Sequence, residues 1–205
     1  MRDPGLAGPV VVLGFGNQGE AQALNLRDSG LEVVVGARPG HAGEARARAL
    51  GFAARPLSEA AGLASVLAVM LPDEVVPQVW SEVATALQPG ATLVFAHGFN
   101  LVYGGLTLPS EGDVVLVSPT GPGRVLRVLY QQGHGLPAYL AVHQDRTGRA
   151  WVTAEAYAAA IGCARERLLR TTVVEETEVD LFGEQAVLCG GRNALVTARV
   201  DTLVA

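Results

Sequence analysis

Val10-Val11-Val12-Leu13-Gly14-Phe15-Gly16-Asn17-Gln18-Gly19 is the stretch on which the reading of the fold turns. Four aliphatic residues run without a polar interruption, as a strand buried on both faces requires. The run ends in glycine, and Asn17 to Asp28 then has helical composition, so the glycines lie on a strand-to-helix turn. In such a turn they serve three needs: a tight bend, close backbone approach to a pyrophosphate, and close helix–strand packing. The helix N-terminus adds unpaired N–H groups and a positive dipole end. Glycine-rich turns also arise for purely steric reasons, so the pattern alone is weak. At the first strand–helix turn of an alternating chain it reads as a dinucleotide site.

Outward from that turn the alternation continues. Leu31 to Val35, Ser65 to Leu71, Thr92 to Ala96, Val114 to Val117 and Ala138 to Val142 read as strands. Asp73 to Leu87 and Gly123 to Gln131 read as helices between them. Continuous apolar strands separated by helices call for a parallel sheet covered on both faces. The expected class is α/β: residues 1–172 as a Rossmann-like, doubly wound, mostly parallel sheet. Residues 173–205 form a short helical tail, with helices over Glu175 to Leu188 and Ala194 to Val204. Two such helices cannot build a core alone and must pack on the sheet or on a second chain.

The end of the second strand selects the dinucleotide. An NAD site wants an acid there, about twenty residues past the glycines, for the ribose 2′-hydroxyl. This chain reads Val33-Val34-Val35-Gly36-Ala37-Arg38, and Glu32 sits at the wrong end of the strand. Arg38 is either a solvated surface residue or a planar fork for a 2′-phosphate. The reading favours NADP over NAD.

Composition narrows the remaining classes. Of the 205 residues, 49% are apolar and 17% charged, with a formal charge of -5, which excludes a disordered chain. Mild acidity and the absence of a basic run argue against nucleic acid. No apolar run approaches the roughly 18 residues of a membrane span, and Gly62 to Leu71 is a buried strand at most. Met1 to Pro9 has no separate apolar region of a signal peptide. Cys163 and Cys189 have no metal-type spacing and fit a reducing cytoplasm. All fifteen cationic side chains are arginine; the chain has no lysine.

Four further stretches carry a resemblance: Leu71-Pro72-Asp73-Glu74-Val75, His97-Gly98-Phe99-Asn100, Pro119-Thr120-Gly121-Pro122-Gly123, and Asp180-Leu181-Phe182-Gly183-Glu184-Gln185 running on to Gly191. With Gly14 to Gly19 they resemble ketol-acid reductoisomerase, the NADPH- and magnesium-dependent enzyme family of branched-chain amino-acid synthesis, over essentially the whole chain. The resemblance implies that Phe15, Gly16, Asn17 and Gln18 contact the pyrophosphate and that Arg38 holds the 2′-phosphate. In the same loop His41, which can still donate to the cofactor phosphate, and Gly43, which cannot, stand where the family usually has hydroxyl residues. Asp73, Glu74, Val75 and Val76 match a cofactor-contacting loop, with Val76 in place of a usual glutamine, and Gly123 matches another cofactor contact. His97 matches the active-site histidine. By position alone it lies past a strand's C-terminal end, where α/β sheets bind ligands, or is a satisfied turn histidine.

Asp180 and Glu184 are four apart, so a helix puts both on one face. The resemblance makes them ligands of Mg2+, while Glu175, Glu176 and Glu178 read as solvated. It also implies further glutamate ligands and a substrate-binding serine in a helical region beyond Ala205. The family's lysine at the 119–123 turn is Thr120, and a hydroxyl cannot replace an ammonium. Two readings follow. One is an NADP-dependent oxidoreductase acting on a 2-acetohydroxy acid or 2-ketoacid, impaired in isomerisation. The other is a non-catalytic NADP-binding paralogue. Val179, Leu181, Phe182, Val187, Leu188, Leu195 and Leu203 are more apolar surface than a monomer comfortably exposes, so a homodimer or higher homo-oligomer is expected.

Overall fold

The computed structural model describes residue 6 and residues 8–204. Most of the leader-free reading of residues 1–9 therefore lies outside the described residues. The elements are β1 (Val10–Leu13), α1 (Asn17–Asp28), β2 (Val33–Gly36), α2 (Ala42–Ala49), β3 (Ala53–Arg55) and α3 (Leu57–Ala61). Then come β4 (Val66–Val69), α4 (Val76–Ala86), β5 (Thr92–Phe95), α5 (Phe99–Val102), β6 (Asp113–Pro119), α6 (Gly123–Gln131), β7 (Leu136–Gln144), α7 (Ala150–Ala160) and β8 (Cys163–Arg170). A helical tail closes the chain: α8 (Val173–Phe182), a π-helical segment (Gly183–Cys189) and α9 (Gly190–Val204).

The strands form one sheet in the order β3-β2-β1-β4-β5-β6-β7-β8. β1 pairs in parallel with both β2 and β4, so the strand order reverses beside β1, the place where such sheets open a crevice at their C-terminal ends. Alternation along β1 divides the core. Val10 and Val12 join the cluster under α1 and α7, with Leu26, Ala154 and Tyr157. Val11 and Leu13 join the opposite cluster, with Leu57, Val76 and Trp80 from α3 and α4. Period-two side-chain alternation with apolar residues at every position is why β1 is covered twice.

The structure departs from the sequence-based expectation in four places. Two strands were not anticipated. β3 has three residues, and β8 reads Cys-Ala-Arg-Glu-Arg-Leu-Leu-Arg; both are sheet edges, where burial on two faces is not required and the apolar signal fades. β7 runs antiparallel to β6, with Val117 opposite Leu140, and β8 runs parallel to β7. The pair thus reverses direction relative to the rest of the sheet. The tail does not break between two helices; α8, the π segment and α9 run on without interruption. A Cβ at Gly190 or Gly191 would collide with the carbonyl oxygen of Gln185 or Ala186, each five residues back. The two glycines therefore admit the wider π turns instead of ending the helix. Finally, Leu181 is half-buried, whereas Val179, Phe182, Leu195 and Leu203 are all more than two-thirds exposed.

Candidate active site

The glycine turn is built from backbone contacts that side chains would block. Gly14 has φ +92, donates its N–H to the Gly36 carbonyl at 2.8 Å, and would carry a Cβ only 2.7 Å from the Met70 carbonyl oxygen. That is a left-handed conformation in close approach to β4, which glycine alone accepts without strain. Gly19 packs directly on the Gly14 carbonyl, with no room for a Cβ. Gly16, by contrast, faces open space and caps α1 without any side-chain hydrogen bond. The α1 N-terminus is thereby left open to an anion. Phe15 points inward, edge-on to Phe52 with centroids 5.6 Å apart, so it offers the turn only its backbone. Gly123 opens α6 directly against the Asn17 carbonyl, and the Arg124 N–H donates to Asn17 Oδ1 at 3.2 Å. Two helix N-termini converge there. These features fit the pyrophosphate of a dinucleotide.

Past β2, Arg38 and His41 are both exposed. The first turn of α2, just past that loop, holds a carboxylate that the strand-end reading did not weigh: Glu44, which accepts from the Gly40 N–H at 2.7 Å and from Arg48 at 2.9 Å. The Gly40 hydrogen bond, then Arg48, hold its carboxyl below the usual range.

The ends of β4, β5 and β6 carry the polar cluster. His97 lies 3.4 Å from Asp180, Nδ1 to Oδ2, and stacks on Phe99 at 6.5 Å between centroids. Asn100 is buried and clasps Asp73 through Nδ2, at 2.8 Å to Oδ1 and 3.2 Å to the carbonyl. The histidine turn is therefore tied to the loop after β4. On that loop Glu74 is exposed, while Val75 and Val76 are buried, Val76 within the core beneath α4. α8 reaches the histidine because Gly98 has no side chain: a Cβ there would collide with Thr177 Oγ1 and come within 2.9 Å of Val173 Cγ1. The helix starts with a capping box in which Thr172 and Glu175 satisfy each other's backbone N–H groups.

One residue read as solvated is not. Glu176 is 6% exposed, lies beside Ser118, and leaves Oε2 without a partner among the described residues. Burial pushes its carboxyl up; Ser118 and His97 oppose that shift, and Asp180 adds to it. Glu175 and Glu178 are exposed, as expected. The spacing of four between Glu176 and Asp180 puts the two on one face of α8, but spacing does not say which carboxylate is buried, since Asp180 on that face is exposed. A raised folded-state pKa means the native chain binds more protons than the unfolded one above the ordinary glutamate range. Stability must then fall as pH rises through that window toward the folded pKa. Glu176→Gln is expected to flatten this slope and raise the melting temperature at pH 7 relative to pH 4; parallel pH–melting curves for the two proteins would exclude it.

Glu184 is exposed on the π segment. With Asp180 it offers two carboxylates, enough for a largely hydrated magnesium ion. Among the described residues, no group of three or more His, Cys, Asp or Glu side chains is placed to hold a metal. The Thr120 hydroxyl is occupied with the Pro137 carbonyl at 3.2 Å.

Comparison with known proteins agrees with this geometry. Residues 7–166 match the family described as acetohydroxy acid isomeroreductase, NADPH-binding domain. Residues 173–205 match ketol-acid reductoisomerase, C-terminal domain. Among solved structures, an NADH-preferring ketol-acid reductoisomerase from an uncultured archean is 36% identical with a TM-score of 0.91, covering 96% of this chain and 61% of that one. The chain thus spans under two-thirds of that relative's length. A semialdehyde dehydrogenase NAD-binding protein from Cupriavidus necator, solved with calcium and NAD, is 20% identical with a TM-score of 0.79, covering 97% and 75%. A putative oxidoreductase from Jannaschia sp. CCS1 is 16% identical with a TM-score of 0.74, covering 93% and 72%. The last two share the fold.

Proposed function

Because the chain belongs to the ketol-acid reductoisomerase (acetohydroxy acid isomeroreductase) family, we propose that it binds NADPH at the Gly14–Gly19 turn and reduces a small 2-ketoacid or 2-acetohydroxy acid beside His97. The family's domain over residues 7–166 takes a nicotinamide cofactor. The observation that carries the proposal is the open α1 N-terminus at the strand-order reversal, at the same C-terminal end of the parallel strands as the His97–Asp180 pair. Bound nicotinamide supplies the hydride. In this chain His97, oriented by Asp180, exchanges a proton with the substrate oxygen, with the buried Glu176 carboxyl close by on α8. The division at residue 172 separates the cofactor-binding unit from the helix that brings Glu176 and Asp180.

Arg38 supports NADPH: it is exposed at the end of β2, and among the described residues no carboxylate pairs with it. Glu44, in the first turn of α2 after that loop, favours NADH as a second reading, as does likeness to a relative named NADH-preferring. Fluorescence titration decides. NADPH is expected to bind tighter than NADH, and Arg38→Ala to weaken NADPH binding about tenfold or more, the value of a charge-assisted hydrogen bond, with little effect on NADH. Equal affinities in the parent chain would overturn the NADP reading.

Isomerisation is the weaker half of the activity. Thr120 stands where the resemblance places a cation, and a hydroxyl cannot supply an ammonium's charge to the oxygens of an alkyl shift. The non-catalytic NADP-binding reading rests on the same loss. Assays with NADPH, magnesium and either 2-acetolactate or a simple 2-ketoacid separate the readings. Reduction of the ketoacid without turnover of acetolactate is expected, in the parent chain and in Thr120→Lys. Acetolactate turnover at about 1 per second or faster would refute impaired isomerisation, and no reduction of either substrate would favour the binding module. The exposed apolar residues of α8 and α9 support a homo-oligomer, most simply a dimer. Cys163 and Cys189, both free, support a cytoplasmic setting, and among the described residues no helix is long and apolar enough to cross a membrane.

A further inference from the structure

A buried chain of hydrogen bonds runs beneath the glycine turn from the far helix. Tyr157 of α7 is fully buried and donates its hydroxyl to Gln22 Oε1 at 2.7 Å. Gln22, also fully buried, donates Nε2 to Gln18 Oε1 at 3.2 Å. Gln18 donates Nε2 to the Gly121 carbonyl at 3.0 Å. The chain spans α7, α1 and the turn between β6 and α6, and it ends two residues before Gly123, the contact of α6 against Asn17.

Its direction has only one solution. The Gly121 carbonyl has no proton, so Gln18 must turn its NH2 group toward it. Gln18 then presents an oxygen to Gln22, which must answer with its own NH2 group. That leaves Gln22 Oε1 facing α7, and a donor is needed there. Tyr157 has one, and burial pushes its hydroxyl's pKa further up, so the proton stays. Reversing either amide would set two oxygens against each other at one of the joints.

We propose that Tyr157, acting through Gln22, is a positioning residue for the cofactor turn: it fixes the Gln18 amide that holds the 119–123 turn against the α1 N-terminus. The inference rests on the reading that this turn carries the dinucleotide pyrophosphate. Without the hydroxyl, Gln22 keeps a buried oxygen with no donor, or flips and passes the mismatch along to Gly121. In either case the spacing of the two helix N-termini loosens. The pyrophosphate is common to both dinucleotides, so affinity for both falls together and their ratio is preserved.

The test is a double-mutant cycle on the full chain, with dissociation constants for NADPH and NADH from nicotinamide fluorescence and melting temperatures from circular dichroism. Tyr157→Phe is expected to raise both constants about tenfold, as for an orphaned buried hydrogen-bonding group. In a Gln18→Leu background the same substitution should change them by no more than about twofold, while still lowering the melting temperature. If Tyr157→Phe does not fold, Gln22→Met breaks the chain at its middle and is expected to give the same tenfold loss. Unchanged constants in Tyr157→Phe, a full effect persisting in Gln18→Leu, or a changed NADPH-to-NADH ratio would overturn the inference and leave the dinucleotide reading intact. Failure of the parent chain to bind either dinucleotide would overturn both.

Discussion

Gly98→Val is expected to leave the sheet folded and undock α8. Gly98 has φ -89, a conformation open to any residue, so the effect is steric alone. The new side chain would occupy the space of Thr177 Oγ1 and Val173 Cγ1, and both residues are buried against the histidine turn. Overpacking of this kind costs about 1–3 kcal/mol. The upper end is expected, because the nearest atoms belong to a capped helix that cannot yield locally. For a domain of this size that is a fall of roughly 6–12 °C in melting temperature. Loss of α8 also removes Asp180 from His97 and Glu176 from Ser118. Hydrogen exchange reads the result directly: amides from Val173 to Phe182 should lose protection while those of β1, β4 and β5 keep theirs. Retained protection across α8 would show that the helix docks by contacts other than this one.

Gly123→Ala should all but abolish dinucleotide binding, against what local propensity suggests. At the first position of a helix, alanine in place of glycine favours the helix by up to about 1 kcal/mol. Here its Cβ would collide with the Asn17 carbonyl oxygen and sit 2.7 Å from the Asn17 carbonyl carbon, forcing the α1 and α6 N-termini apart. A loss of about 2 kcal/mol, or about thirtyfold in affinity, is the expected minimum. Gly16→Ala is the matched control. No atom lies within 4 Å of its Cβ, so the melting temperature should not change, yet the methyl group would stand where the pyrophosphate approaches the backbone. Gly123→Ala should therefore lose both stability and affinity, and Gly16→Ala affinity alone. Wild-type affinity in both variants would mean that the dinucleotide binds elsewhere.

The strand, turn and helix from Val10 to Asp28 could be read from the residues because every determinant is local. Consecutive aliphatic side chains demand cover on two faces, and glycines permit one tight bend. The same reasoning recovered all six interior strands, β1, β2, β4, β5, β6 and β7, and the resemblance singled out His97 and Asp180, which the fold brings to 3.4 Å of each other. It failed at the sheet edges, where β3 and β8 are buried on one side and their composition resembles a loop. It could not see that β7 reverses, since an apolar run has no direction. Nor could it see that Glu176 is buried while Glu175 is solvated. The two carboxylates are adjacent, and only the packing of α8 on Gly98 decides which faces Ser118 and His97. The polar chain from Tyr157 to Gly121 joins residues more than a hundred positions apart, and a hydrogen bond of that kind leaves no periodicity to read. Local conformation follows from what each side chain permits its own backbone. Burial, strand direction and the pairing of polar groups follow from which distant surface a residue meets, and that is settled only when the layers close.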